Sequence, residues 1–296
     1  MIRLLLIVAL LAPPSLVAVE AEQRPAYLLQ IPASVGTLLV AETDTSTLHR
    51  FDSRSKNSLQ SYMSIGQNGV GKQRPWDRRT PLGIYFVTER LDTQGLHERY
   101  GLAAFPLDYP NIWDRKNRRS GDGIWIHGVT PNGGRRPPLD TDGCIALPND
   151  ELLAIEDQLV PLVTPVIITR KIRWASPEQV AATRAELGSA LETWANSFRA
   201  GNLHRYLSLY ANDFRYRGMS RQDWAAYRLQ TFNNAPVKEF ELREVLLLAD
   251  PEVNDLYLSR FRQRIVDDER TIVTIKRLYW RRSADGDLRI VAEDNG

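Results

Sequence analysis

The stretch Ile124-Trp125-Ile126-His127-Gly128, answered downstream by Thr141-Asp142-Gly143-Cys144-Ile145-Ala146-Leu147-Pro148-Asn149, decides how the chain is read, and it holds the only cysteine. A thiol becomes a useful nucleophile when a neighbour takes its proton, and histidine does this because its pKa lies near neutrality. His127 and Cys144 are 17 positions apart. A strand carrying the histidine and a loop returning to the cysteine would therefore meet at one sheet edge. The pattern predicts a Cys–His acyl-transfer pair, with Cys144 as nucleophile and His127 as general base and then acid. Gly128 and Gly143 let backbone pass close to a substrate, and backbone N–H groups around Gly143 and Cys144 are the candidate oxyanion donors. The competing reading makes Cys144 a small buried hydrophobe and His127 a hydrogen-bonded structural residue. Thiol titration separates the two: the catalytic reading expects a depressed pKa that depends on His127, the structural reading an ordinary thiol.

Other chemistries fail on spacing. One cysteine and scattered histidines (His49, His97, His204) cannot complete a tetrahedral zinc site. Asp140-Thr141-Asp142-Gly143 resembles a piece of a calcium loop, but Cys144-Ile145-Ala146 supplies none of the intervening oxygen ligands. Gly66, Gly69, Gly71 and Lys72 lack the spacing of a phosphate-binding loop and read as a mobile connection instead. No metal and no cofactor is expected. The 38 basic and 36 acidic residues leave a formal net charge of +2, too mild a balance to argue for nucleic acid.

Outward from the motif, Leu38 to Glu42, Thr47 to Phe51 and Leu59 to Ile65 read as a β-meander. Asn149-Asp150-Glu151 begins a short helix after the cysteine loop, and Pro165 to Thr169 reads as a closing strand. Arg74, Arg78 and Arg79 form a basic rim, whose functional reading is contact with substrate carboxylates. At the N-terminus, Arg3, the apolar run from Leu4 to Ala12, the Pro13-Pro14 break and the small residues Ala18 and Ala21 read as a signal peptide over residues 1–21. Export to the periplasm follows, with a membrane anchor as the alternative if the segment is not cleaved. A single cysteine forms no intramolecular disulfide, and an unpaired thiol in an oxidising compartment is a liability unless buried or used.

His-Gly, a variable loop and then Thr-x-Gly-Cys-Ile resembles the signature of the YkuD-type L,D-transpeptidases of bacterial cell walls. Arg79-Thr80-Pro81-Leu82-Gly83-Ile84-Tyr85-Phe86 is similar to that family's Thr-Pro-x-Gly stretch, and Gly101 through Phe105-Pro106-Leu107-Asp108-Tyr109-Pro110 is similar to the segment ahead of its His-Gly strand. The resemblance covers most of residues 30–172 and implies a mainly β catalytic domain acting on peptidoglycan stem peptides. It implies that a backbone carbonyl, rather than a carboxylate, orients His127. Arg79, Thr141, Asp142 and Asn149 are the candidate substrate-binding residues. Many members carry a histidine at position 142 and an arginine at 146; this chain has Asp142 and Ala146, so the family's guanidinium is missing. The Gly-Cys-Ile-Ala pattern resembles the YafK-like branch, which brings in L,D-carboxypeptidase or amidase activity beside transpeptidation. A non-catalytic wall-binding protein is the alternative of another class.

Beyond residue 176 the pattern changes. Ser176-Pro177-Glu178 is a helix start, and Val180, Leu187, Leu191, Trp194 and Phe198 keep helical spacing to Gly201-Asn202. Shorter helices are predicted over Leu203 to Tyr210 and Ser220 to Arg228. Phe240 to Leu248, Asn254 to Ile265, Thr271 to Arg281 and Leu288 to Ala292 then read as antiparallel strands, an α+β order. Trp194 to Phe198, Gly201-Asn202-Leu203, Tyr206, Tyr210, Phe214 and Gly218-x-Ser220-Arg221-x-x-Trp224 resemble the SnoaL-like (nuclear-transport-factor-2-like) cone. The resemblance implies an accessory binding module, or one through which the protein homodimerises, over residues 176–296. Trp224, Tyr227 and Phe232 are candidates for a pocket lining, with core packing as their more ordinary use.

Overall fold

Leu38-Leu39-Val40-Ala41 and Val166-Ile167-Ile168 are apolar at every position, the pattern of strands covered on both faces. The computed structural model, which describes residues 23–234, 238–267 and 270–296, places them at the centre of a five-stranded sheet. Its order is Asn57–Tyr62, Thr47–Phe51, Leu38–Glu42, Pro165–Thr169 and Gly83–Phe86. The segment read as a signal peptide lies outside the described residues. Among those described, no helix is long and apolar enough to cross a membrane.

The first three strands form the expected meander. The third ends at Tyr62, earlier than predicted, because Ser64 bridges Ala146 and Ile65–Gly66 turns away to pair in parallel with Leu139–Thr141. That departure ties the meander to the cysteine loop. A small second sheet, Ala104–Pro106, Trp125–His127 and Ile145–Ala146, carries His127 and begins its third strand directly after Cys144. It packs with Leu39, Ala41, Tyr85, Val166 and Ile168 through Phe105, Ile126, Ile145 and Leu147.

Period-2 alternation sends Leu38, Val40, Ile84, Phe86 and Ile167 to the opposite face. There they meet Leu246, Leu248, Leu256, Leu258 and Tyr279 of a seven-stranded sheet. The alternate residues of that sheet, Leu247, Tyr257, Leu278 and Trp280, pack under the helices Pro177–Arg199, Leu203–Ser208 and Arg221–Asn234. From one side to the other, the layers are helices, seven-stranded sheet, five-stranded sheet and the small site-bearing sheet.

The second lobe therefore uses one sheet face to cover the back of the first. Polar bonds frame that interface: Arg277 pairs with Asp108, Lys116 lies 3.2 Å from Asp213, and Thr169 Oγ1 donates to Glu252 at 2.9 Å. The sequence reading starts the first unit at residue 30, yet Leu28–Gln30 is the edge strand of the second lobe's sheet, paired with Glu239–Ala249. Leu28 faces the interlobe core and Leu29 the helical core. Tyr210, predicted as helix, begins the strand Tyr210–Tyr216, and the helix after it runs to Asn234 rather than stopping near Arg228. Of the three aromatics proposed for a pocket, Trp224 is buried in the core, Phe232 packs edge-on to Phe198 and Tyr227 is half exposed.

Candidate active site

Ile145 and Ala146 pair in parallel with Ile126 and His127, so extending that register by one residue sets Cys144 opposite Trp125. Alternation then turns Cys144 and His127 to the same face, two steps apart along neighbouring strands. Both are buried.

Each is held by backbone carbonyls. His127 Nδ1 lies 2.6 Å from Gly128 O, and a carbonyl only accepts, so Nδ1 carries the hydrogen and Nε2 is the basic nitrogen. The Cys144 thiol donates to Gly123 O at 3.3 Å. Burial pushes the His127 imidazole down to about 4, and nearby Arg136 and Arg99 act in the same direction against the Gly128 bond. Burial pushes the Cys144 thiol up to about 11. These surroundings run against the depressed thiol pKa expected of the catalytic reading: burial favours the neutral form of both groups, and the Trp125 backbone N–H offsets it only in part at Cys144.

The Thr-x-Gly-Cys turn is built from its own side chain. Thr141 Oγ1 donates to Cys144 O at 2.7 Å and accepts from Gly143 N at 3.1 Å. Gly143 N–H, a candidate oxyanion donor, is therefore spent inside the turn. Gly143 sits at φ 127, and a Cβ there would lie 2.7 Å from Arg79 O, so only glycine fits. Gly128 N–H is engaged as well, with Tyr100 O and Ala103 O, both at 3.1 Å.

Asn149 belongs to the scaffold. Its Oδ1 accepts from Leu102 N at 3.3 Å and Val129 N at 3.2 Å, and its Nδ2 donates to Val129 O at 2.8 Å. A Cβ on Gly128 would come within 2.0 Å of that Oδ1, so the His-Gly dipeptide and Asn149 are fitted to one another. Thr80, quoted within the Thr-Pro stretch but not singled out, is the buried link between segments: it accepts from Gly66 N at 3.0 Å and donates to Gly143 O at 2.9 Å.

The glycine-rich connection read as mobile is densely bonded. Asp77 accepts from the backbone N–H of Gln73, Arg74 and Arg79 and from Lys72 Nζ. Burial alone would raise its carboxyl, but these donors bring it to about 2. Asp77 lies between Trp76 and Arg78, whose φ of 62 and 54 are costly for non-glycine residues. The loop sets Arg79 O against Gly143, while the Arg79 guanidinium turns to Val70 O at 2.9 Å. The guanidinia nearest Asp142 are those of Arg78 and Arg99, at 3.8 and 3.6 Å. Arg99 lies above the Tyr100 ring, which is edge-on to His127 at 5.2 Å. No sequence pattern marks Arg99, because only the tertiary fold brings it to the cysteine loop. Asp140 is held by Arg136 at 2.7 Å and does not serve as a third member for His127. No metal-holding group of His, Cys, Asp and Glu occurs among the described residues.

Residues 36–168 match the YkuD L,D-transpeptidase catalytic domain, and residues 186–294 match the Cds6 C-terminal NTF2-like domain. The chain joins a YkuD domain to an NTF2-like domain. Two solved structures share this arrangement along nearly their whole length. Bd1075 of Bdellovibrio bacteriovorus is 23% identical, with 93% of this chain and 98% of that chain covered and a TM-score of 0.77. The helical cell shape determining protein Pgp2 of Campylobacter jejuni is 23% identical, with 90% and 95% covered and a TM-score of 0.71. No curated protein matches the chain. Within the matched residues, Cys144 sits in the Thr-x-Gly-Cys turn and His127 on the strand beside it.

Proposed function

We propose that the protein is a periplasmic cysteine acyl-transfer enzyme of cell-wall remodelling, acting on peptidoglycan stem tetrapeptides. The observation that carries this reading is the Nδ1 bond to Gly128 O, which leaves Nε2 of a neutral His127 basic beside the strand that begins just after Cys144. In the reaction, Nε2 takes the thiol proton as Sγ attacks the carbonyl of the L-centre of meso-diaminopimelate. The tetrahedral intermediate collapses, the C–N bond breaks, and D-alanine leaves with the proton returned from the imidazolium. Water then resolves the thioester to a shortened stem, or an amine resolves it to a 3→3 cross-link. Cys144 N–H is the candidate oxyanion donor, since Gly143 N–H is engaged. A resting neutral pair suits a general-base mechanism in which charge separates only as the S–C bond forms. Pgp2, a helical cell shape determining protein of the same fold, fits a role in the wall.

The test is mass spectrometry of tetrapeptide muropeptides after incubation with the mature protein. Tripeptide monomers identify an L,D-carboxypeptidase and 3→3 dimers a transpeptidase, and Cys144→Ala should lower either activity by about 10⁴-fold or more. Unchanged muropeptides and unchanged intact sacculi would instead support a wall-binding protein without catalysis.

A further inference from the structure

Ala146 supplies no guanidinium to the site, yet two arginines from distant segments converge on its mouth. Asp142, two residues before the nucleophile, lies 3.8 Å from Arg78 Nε and 3.6 Å from Arg99 Nη1. Both separations exceed hydrogen-bond length, and the three side chains are 57%, 52% and 58% exposed for Arg78, Arg99 and Asp142. Exposed ion pairs of this kind bind their partners weakly, so an incoming carboxylate can displace Asp142. The other arginines nearby are spoken for: Arg136 makes two bonds to Asp140, Arg135 pairs with Glu151, and Arg79 bonds Val70 O.

Arg99 is also positioned for the task. Its Nη2 donates to Tyr100 Oη at 2.8 Å and its guanidinium lies 4.9 Å from the Tyr100 ring centre, while the same ring touches His127 and Trp125. Its charge is felt at both Cys144 and His127. Arg78 approaches from the Asp77-anchored loop and donates to Gln67 Oε1 at 2.9 Å.

We infer that Arg99 and Arg78 form the subsite for the carboxylate of the leaving amino acid at the C-terminus of the stem peptide. Asp142 is the internal carboxylate that holds the pair in place until that group arrives. The inference rests on the acyl-transfer reading of Cys144, in which the departing amine carries a carboxylate only a few bonds from the attacked carbon. It makes the site selective for stems with a free terminal carboxylate, and hence an end-trimming rather than an internal-cleaving site.

The experiment is calorimetric titration of full-length Cys144→Ala protein with two synthetic stem tetrapeptides, one ending in a carboxylate and one in a carboxamide. The acid should bind about 10- to 100-fold more tightly than the amide, as expected for charge-assisted hydrogen bonds. Adding Arg99→Gln should cut that ratio severalfold, and Arg78→Gln with it should abolish it, while the amide affinity stays unchanged; adding Asp142→Asn should tighten the acid alone. Equal binding of acid and amide, or equal weakening of both by Arg99→Gln in protein with an unchanged circular dichroism spectrum, would overturn the subsite. Discrimination in the absence of wild-type turnover would uphold the subsite and sink the acyl-transfer reading instead.

Discussion

Cys144 and His127 in the first lobe are buried against neutral carbonyls, and burial carries the thiol up to about 11 and the imidazole down to about 4. Lys276 and Glu293 in the second lobe are buried as deeply but face one another, and Glu293 also accepts from Tyr210 Oη at 2.9 Å. Arg277 is treated likewise: burial alone would lower its guanidinium, but Asp108 and Asp294 hold it well above its usual range. The two lobes thus solve the burial of ionisable groups in opposite ways. Where no directly bonded counter-charge is supplied, burial favours the neutral form. Where one is supplied, the buried groups satisfy one another through ion pairs.

The comparison is most exposed to a break at the interlobe ion cluster. Arg277→Ala would strip the largely covered Asp108 and Asp294 of their shared guanidinium, and chemical denaturation should show a loss of about 3–5 kcal/mol. A loss below 1 kcal/mol, on the scale of an exposed pair, would mean that water reaches these carboxylates and that the second lobe does not seal the first.

A smaller effect should follow from the neutral side. Asn149→Ala removes the clamp on Leu102 and Val129 and leaves backbone groups unsatisfied, at a cost of about 1–3 kcal/mol by thermal or chemical unfolding. Gly128→Ala should match it, because its methyl would displace the Asn149 amide. If Asn149→Ala lost turnover with no loss of stability, Asn149 would be a substrate-binding residue, as the motif suggested, rather than a brace.

How far these features were legible depends on the distance over which they are written. Cys144, His127, Gly128 and Gly143 lie within one short stretch, so their placement on neighbouring segments could be expected from the sequence alone. The strands from Phe240 onward were legible too, since period-2 alternation along long strands survives any tertiary context. Arg99 was not, because it reaches Asp142 only after the Glu98–Tyr100 turn docks on the histidine strand. Nor was the loop at Asp77, where glycines suggested mobility but a single carboxylate satisfies three backbone N–H groups. The edge strand Leu28–Gln30 is too short to carry a period and is defined by its partner. The interlobe packing had a signal that went unused: Leu38 to Ala41 and Leu246 to Leu248 are apolar at consecutive positions, which a sheet with one wet face does not need.

The measurement that tests the central claim most directly is the thiolate absorbance near 240 nm, titrated in wild-type protein against Cys144→Ala as the blank. Burial without a counter-charge predicts no thiolate step between about pH 5 and pH 9, where an ordinary thiol would already titrate near 8.5. Because burial favours the neutral form of both groups, His127→Ala should leave that flat region unchanged. A thiolate step below about pH 7 that disappears in His127→Ala would show a preformed thiolate–imidazolium pair and contradict the account.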